Sequence, residues 1–216
     1  MSYHFVFCHG FGFDASFWDK IAPCFSKEKC TFIDLGYFRR PSHFNIPHDE
    51  KIIGIGHSLG LLKLLELHKN FERLIALNGF RNFLGFHPIL RREREKELKM
   101  LENKFRTDPM IALDLFYSRC STSLLIKCPN KEDLNSDLMC TELNLLRSTI
   151  VLPSVPTLVL ASDNDMVVPP QVIHDNFSNT NIKLDVIDNG EHILGLASPL
   201  AVYEKIMKFL DGFYLW

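Results

Sequence analysis

Short apolar runs alternate along this chain with segments of helical period. The runs "YHFVFC" (Tyr3 to Cys8), "CTFIDL" (Cys30 to Leu35) and "IIGIG" (Ile52 to Gly56) predict strands. So do "LIALN" (Leu74 to Asn78), "TLVLA" (Thr157 to Ala161) and "IKLDVI" (Ile182 to Ile187). Several of them are almost continuously apolar, as parallel strands covered on both faces must be. Between them, Leu59 to Lys69, Pro170 to Phe177 and Pro199 to Leu210 carry helical patterns. The alternation predicts an open, doubly wound α/β fold with a mostly parallel sheet of about six strands flanked by helices.

One stretch breaks the rhythm. Arg81 to Pro153 is too long for a crossover and holds no clear strand. Leu90, Leu98, Leu101 and Phe105 share one helical face there, with Pro88 near the start. Residues 81–153 are therefore expected to form a helical cap over the carboxyl ends of the strands, inserted before the penultimate strand. Residues 1–80 and 154–216 would form the core. Within the cap, "RREREKELK" reads as a mixed-charge helix surface.

Composition narrows the class. The 216 residues are 46% hydrophobic and 23% charged, enough apolar side chain to fill a core. A net charge of −2 gives no pull toward nucleic acid or anionic lipid. No apolar run approaches the roughly 20 residues that span a bilayer. The start, "MSYHFVFCHG", lacks the basic residues and cleavage site of a secretory leader. The six cysteines, at 8, 24, 30, 120, 128 and 140, include no C-x-x-C pair and read as reduced thiols. A cytoplasmic protein is expected.

Chemistry enters at "GIGHSLG", Gly54 to Gly60, which places Ser58 between a predicted strand and a predicted helix. Gly56 and Gly60 leave out side chains where a tight strand–turn–helix approach would clash. A serine hydroxyl is a weak nucleophile, so a base must take its proton and an acid must hold that base. In such a sheet the partners should follow in the order Ser, Asp, His, each just beyond a strand end. Asp165 follows "TLVLA" and His192 follows "IKLDVI". Asp163 competes with Asp165, which "DMVVP" places on the loop entering the next helix. The oxyanion of such a reaction needs backbone donors, and "HGFG" after the first strand offers the Phe11 N–H to pair with that of Leu59. His9 is expected to brace this loop, His57 to point away from the serine, and Glu191 to take no catalytic part. His43 and His48, near Asp49 and Glu50, meet no zinc-type spacing.

With "CHGFG", "GHSLG", "DMVVP" and "GEH" in this order, the chain resembles the α/β-hydrolase superfamily of serine esterases along essentially its whole length. That resemblance implies a catalytic triad of Ser58, Asp165 and His192, with Phe11 and Leu59 forming the oxyanion hole. The usual leading hairpin is missing, and only about 16 residues separate "FIDL" from "IIGIG", so the core is a trimmed one. "FCHGFGFDASFW", "DLGYFRRPSHFNIPHDEKIIGIGHSLG" and "ALNGFRNFLGFHP" are most similar to the pimeloyl-[acyl-carrier protein] methyl ester esterases of bacterial biotin synthesis. The implied reaction hydrolyses the methyl ester of a carrier-bound pimeloyl chain and releases methanol, with no metal or organic cofactor. A short-chain carboxylesterase or acyl thioesterase would use the same residues, and a non-catalytic binding module would keep only the fold.

Two further expectations follow from that substrate. An acidic acyl carrier protein calls for a basic docking face. Arg81 to Arg106 hold eight Lys/Arg against four Glu, with Arg91, Arg92 and Arg94 as candidates, although a solvated helix with i,i+4 pairs has the same pattern. An apolar acyl chain calls for an apolar tunnel, for which Trp18, Phe83, Phe86 and Met166 are candidates that would equally suit an ordinary core.

Overall fold

The computed structural model describes residues 3–25, 29–38, 43–47, 49–68, 70–178, 180 and 182–212. Six strands form one parallel sheet: β1 (Tyr3–Cys8), β2 (Cys30–Ile33), β3 (Lys51–His57), β4 (Arg73–Leu77), β5 (Thr157–Ser162) and β6 (Lys183–Ile187). Their order across the sheet is β2-β1-β3-β4-β5-β6. The direction of winding therefore reverses between β1 and β3, where the connections leave opposite sides of the sheet and open a crevice. The register pairs Cys8 with Gly56 and Gly56 with Ala76, so the carboxyl ends of β1, β3 and β4 stand side by side.

Period-2 alternation sorts the strand residues to the two faces. Phe5, Phe7, Ile53, Ile55, Ile75 and Leu77 join the larger apolar cluster, while Val6, Cys8, Ile52 and Leu74 join a smaller one on the opposite side. Trp18, expected in a substrate tunnel, belongs to the larger cluster. It is fully buried against Phe7 and Phe17, with ring centroids 5.1 and 4.8 Å apart. Two 3-10 turns, Ala15–Trp18 and Ala22–Cys24, carry it there. Among the described residues between β2 and β3 there is no helix, as the short spacing implies.

Among the described residues, seven α-helices complete the fold. Helix α1 (Gly60–Leu67) follows β3, and α5 (Pro170–Phe177), α6 (Leu194–Ala197) and α7 (Pro199–Leu210) accompany the last strands. The stretch between β4 and β5 contributes α2 (Pro88–Thr107), α3 (Pro109–Cys120) and α4 (Ser136–Leu145). Their starts are written locally. Asp108 caps α3 by accepting the Met110 and Ile111 N–H groups at 3.1 and 3.2 Å, with Pro109 next. Asn135 caps α4 through the Leu138 N–H at 3.2 Å.

The two ends of this stretch meet at one point. Ile150 N–H donates to Arg81 O at 2.9 Å, and Asn82 and Thr149 form an antiparallel bridge. Asn176 of α5 accepts the Arg81 and Asn82 N–H groups, both at 2.7 Å. No described helix is long and apolar enough to cross a membrane. The six cysteines form no disulfide among the described residues, and Cys8 and Cys120 are buried.

Candidate active site

Ser58 sits at the turn from β3 into α1, in the left-handed region at φ +52°. That conformation costs an L-residue about 1–2 kcal/mol. Its N–H is held by Leu77 O at 2.9 Å. The flanking glycines explain how the helix can start so close to the sheet. A Cβ on Gly56 would lie 2.5 Å from Leu61 Cα, and one on Gly60 would lie 2.3 Å from Cys8 O. Either is closer than two such atoms can approach.

Asp165 lies on the loop after β5 and is 3% exposed. Its Oδ1 accepts the N–H groups of Val167 and Val168 at 2.7 and 2.8 Å. Its Oδ2 meets His192 Nδ1 at 2.7 Å. An ionised carboxylate is acceptor-only, so Nδ1 carries the imidazole proton and Nε2 presents its lone pair. That Nε2 is buried and has no hydrogen-bond partner. The competing Asp163 is exposed and accepts the Gly190 N–H at 3.1 Å.

His192 is fixed through its backbone. Its N–H donates to Cys120 O at 3.1 Å, and its carbonyl accepts His57 Nε2 and Asn78 Nδ2, both at 2.9 Å. Desolvation and the neighbouring His192 push the His57 imidazole well below its ordinary pKa. It stacks on Phe17 with centroids 4.3 Å apart and serves as a neutral brace. His9 braces likewise: its Nε2 accepts the Leu35 N–H at 3.0 Å. His43 is exposed, and His48 lies outside the described residues.

Asn78 had no role in the sequence reading beyond ending a strand. It is buried at φ +47°, donates to Ser162 Oγ at 2.9 Å and accepts the Ser162 N–H at 2.8 Å. Its Nδ2 also donates to Glu191 O at 3.1 Å and to His192 O at 2.9 Å, which ties the end of β4 to the loop that carries His192. The Asn-Gly pair at 78–79 was the available signal of a special turn.

Glu191 is likewise a holding group. Its carboxylate accepts Ser121 Oγ at 2.5 Å, Ser123 Oγ at 2.6 Å and the Thr122 N–H at 2.6 Å. Against the cost of burial, these donors bring its pKa down to about 2. A carboxyl lowered on folding stabilises the fold above its unfolded pKa, and that stabilisation fades as pH falls toward 2. Glu191→Gln is expected to cost about 2–3 kcal/mol at pH 7. Urea titrations of wild type and variant should converge as pH drops below about 4, and a pH-independent difference would assign Glu191 to packing alone.

A cavity of about 200 Å³ opens beside Ser58. Phe11 and Leu59 line it from the core, and Leu98, Phe116 and Leu143 line it from α2, α3 and α4. Among the described residues, neither the Phe11 nor the Leu59 N–H donates to a protein acceptor. Phe116 also approaches His192, with ring centroids 6.5 Å apart.

Of the tunnel candidates, only Phe83 lines this space, with the Arg94 guanidinium 4.2 Å above its ring. Phe86 and Met166 are 44% and 39% exposed and stand outside it. Arg91 and Arg92 are exposed, but Arg94 is 3% exposed and cannot dock a partner protein. The reason lies in the helical period. Arg94 falls on the stripe of Leu90, Leu98, Leu101 and Phe105 and turns inward with it.

No family model matches the chain. A Mycoplasma genitalium protein named "Putative esterase/lipase 2" is 22% identical, the alignment covering 96% of this chain and 89% of that one. An esterase from Exiguobacterium antarcticum superposes with a TM-score of 0.74 at 15% identity, over 97% of this chain and 92% of the other. A bromoperoxidase from Bacillus anthracis gives 0.71 at 15% identity, over 98% and 92%.

The chain has the α/β-hydrolase fold. In this fold, Ser58 and Phe11 follow β3 and β1, the strands that flank the reversal of winding, where ligands of open α/β sheets bind.

Proposed function

We propose that the chain is a serine carboxylic ester hydrolase. The observation that carries this reading is the buried, unpartnered Nε2 of an imidazole whose Nδ1 is bound to Asp165, in a site where Ser58 occupies a strained elbow. Ser58 Oγ attacks the ester carbonyl while His192 Nε2 takes its proton. Asp165 stabilises the imidazolium so formed. The Phe11 and Leu59 N–H groups receive the developing oxyanion. His192 then protonates the departing alkoxide, and a water activated by the same nitrogen hydrolyses the acyl-serine ester. The resemblance to a protein named as an esterase/lipase supports the same chemistry.

The substrate we propose is the methyl ester of a carrier-bound pimeloyl chain, acted on in the cytoplasm. The cavity, mostly apolar with Arg94, Glu97, Lys104 and Arg119 at its edge, suits its methylene chain. The outward face of α2 suits an acidic carrier. Arg91, Arg92, Lys96 and Lys99 are exposed on this helix, with Glu93 and Glu97 as its exposed acids. Glu95 and Glu102 turn instead to Arg147, at 3.1 and 2.9 Å, which leaves the exposed charge mostly positive. Arg94 is withdrawn from the docking set.

The test compares methyl pimeloyl-carrier protein, an acyl thioester and a small soluble ester as substrates. Arg91→Glu with Arg92→Glu should slow the carrier-linked ester about tenfold at low salt and leave the small ester unchanged. Equal losses on both would reject docking at this face, and preference for the thioester would replace the methyl ester.

A further inference from the structure

We propose that Arg94 and Arg119, two arginines of the insertion, are positioning residues for the acid of the triad. This inference rests on the serine-hydrolase reading above. Asp165 Oδ1 is held by two N–H groups, those of Val167 and Val168. Each N–H belongs to a peptide group whose carbonyl accepts an arginine. Arg119 Nη2 donates to Met166 O at 2.6 Å, and Arg94 Nη2 donates to Val167 O at 2.6 Å. In a planar trans peptide the N–H and C=O point in opposite directions. Two consecutive peptide groups are thus gripped from both sides, by the carboxylate on one and by a guanidinium on the other. Hydrogen bonds chained in this way polarise one another, and a charged donor strengthens each link.

The two arginines are themselves fixed. Glu97 Oε2 accepts from Arg94 Nη1 at 2.5 Å and from Arg119 Nη2 at 3.4 Å. Arg94 also lies over the Phe83 ring. The end of α3 reaches the other site loops as well. Tyr117 Oη donates to Gly12 O beside Phe11, and Cys120 O accepts the His192 N–H. The insertion therefore supports the acid and base loops as well as lining the cavity, so the 2.7 Å Asp165–His192 contact depends on where α2 and α3 sit.

Arg119, whose side chain is 46% exposed, can be replaced without burying a hole. Arg119→Met is expected to lower kcat about tenfold on a small ester, with a smaller change in KM because Arg119 also borders the cavity. Arg119→Lys should restore most of the loss, and Arg94→Met should behave like Arg119→Met if it folds. In an Asp165→Asn background the same arginine change should cost less than about twofold, because its effect passes through the carboxylate. A readout without substrate is the downfield proton resonance of His192 Nδ1–H, expected to shift or broaden in Arg119→Met. An undiminished loss in the Asp165→Asn background, or an unchanged resonance, would overturn the proposal. Failure of the wild-type chain to hydrolyse any ester would instead remove the hydrolase reading, with the resonance still deciding whether the arginines hold the carboxylate.

Discussion

Replacing Ser58 by alanine is expected to lower ester turnover by roughly 10⁴- to 10⁶-fold, the loss seen when a triad nucleophile is removed. Stability should change by less than about 1 kcal/mol. The Ser58 N–H bond to Leu77 O does not involve the side chain, and His192 Nε2 makes no hydrogen bond that the change would break. Alanine inherits the same positive φ. Glycine does not suffer from it, so Ser58→Gly should be equally inactive yet more stable than wild type by about 1 kcal/mol. Steady-state kinetics and urea unfolding on the three proteins check both halves. Labelling by a fluorophosphonate should disappear in both variants, and undiminished labelling in Ser58→Ala would place the nucleophile elsewhere.

The largest loss of stability is expected from Gly60→Ala. Its new methyl would meet Cys8 O at 2.3 Å and His9 O at 2.4 Å, both backbone atoms that no rotamer change can move. Either α1 leaves the sheet or the end of β1 gives way, at a cost of about 3 kcal/mol or more. The loop that yields is the one carrying Phe11, so folded molecules should also lose activity. Gly212 supplies the contrast. Its φ is +79° with no atom within 4 Å of a built Cβ, and Gly212→Ala should cost only about 1 kcal/mol of local strain. Thermal unfolding separates the two. Similar midpoints would mean that the crowding at Gly60 is relieved more easily than its contacts allow.

The central strands were legible because their apolar runs are buried on both faces. Val6, Ile53 and Leu158 have no exposure at all. The ends were less so. The expected second strand runs to Leu35, but β2 stops at Ile33 because the Leu35 N–H turns to His9 Nε2 and Asp34 receives the Gly36 N–H at 2.8 Å. Ser58, Asp165 and His192 stood out because their order follows the strand ends, and the 2.7 Å contact now joins the last two. Arg94 was misread because "RREREKELK" looks uniformly charged, and only its register with Leu98 and Phe105 shows that it turns inward. Nothing local could reveal that Ser121, Thr122 and Ser123 enclose a carboxylate about seventy positions away. Such pairings arise from topology and leave no periodic trace.

The stitch between Arg81 and Ile150, clasped by Asn176, has a bearing on how this scaffold diversifies. It brings the two ends of the Phe83 to Ser148 stretch together, so a replacement of different length could start and finish at neighbouring points, provided that it refilled the core shared with Leu98, Phe105 and Leu143. A transplanted roof would bring a new specificity, but it would also have to furnish its own grip on the loop at Met166 and Val167.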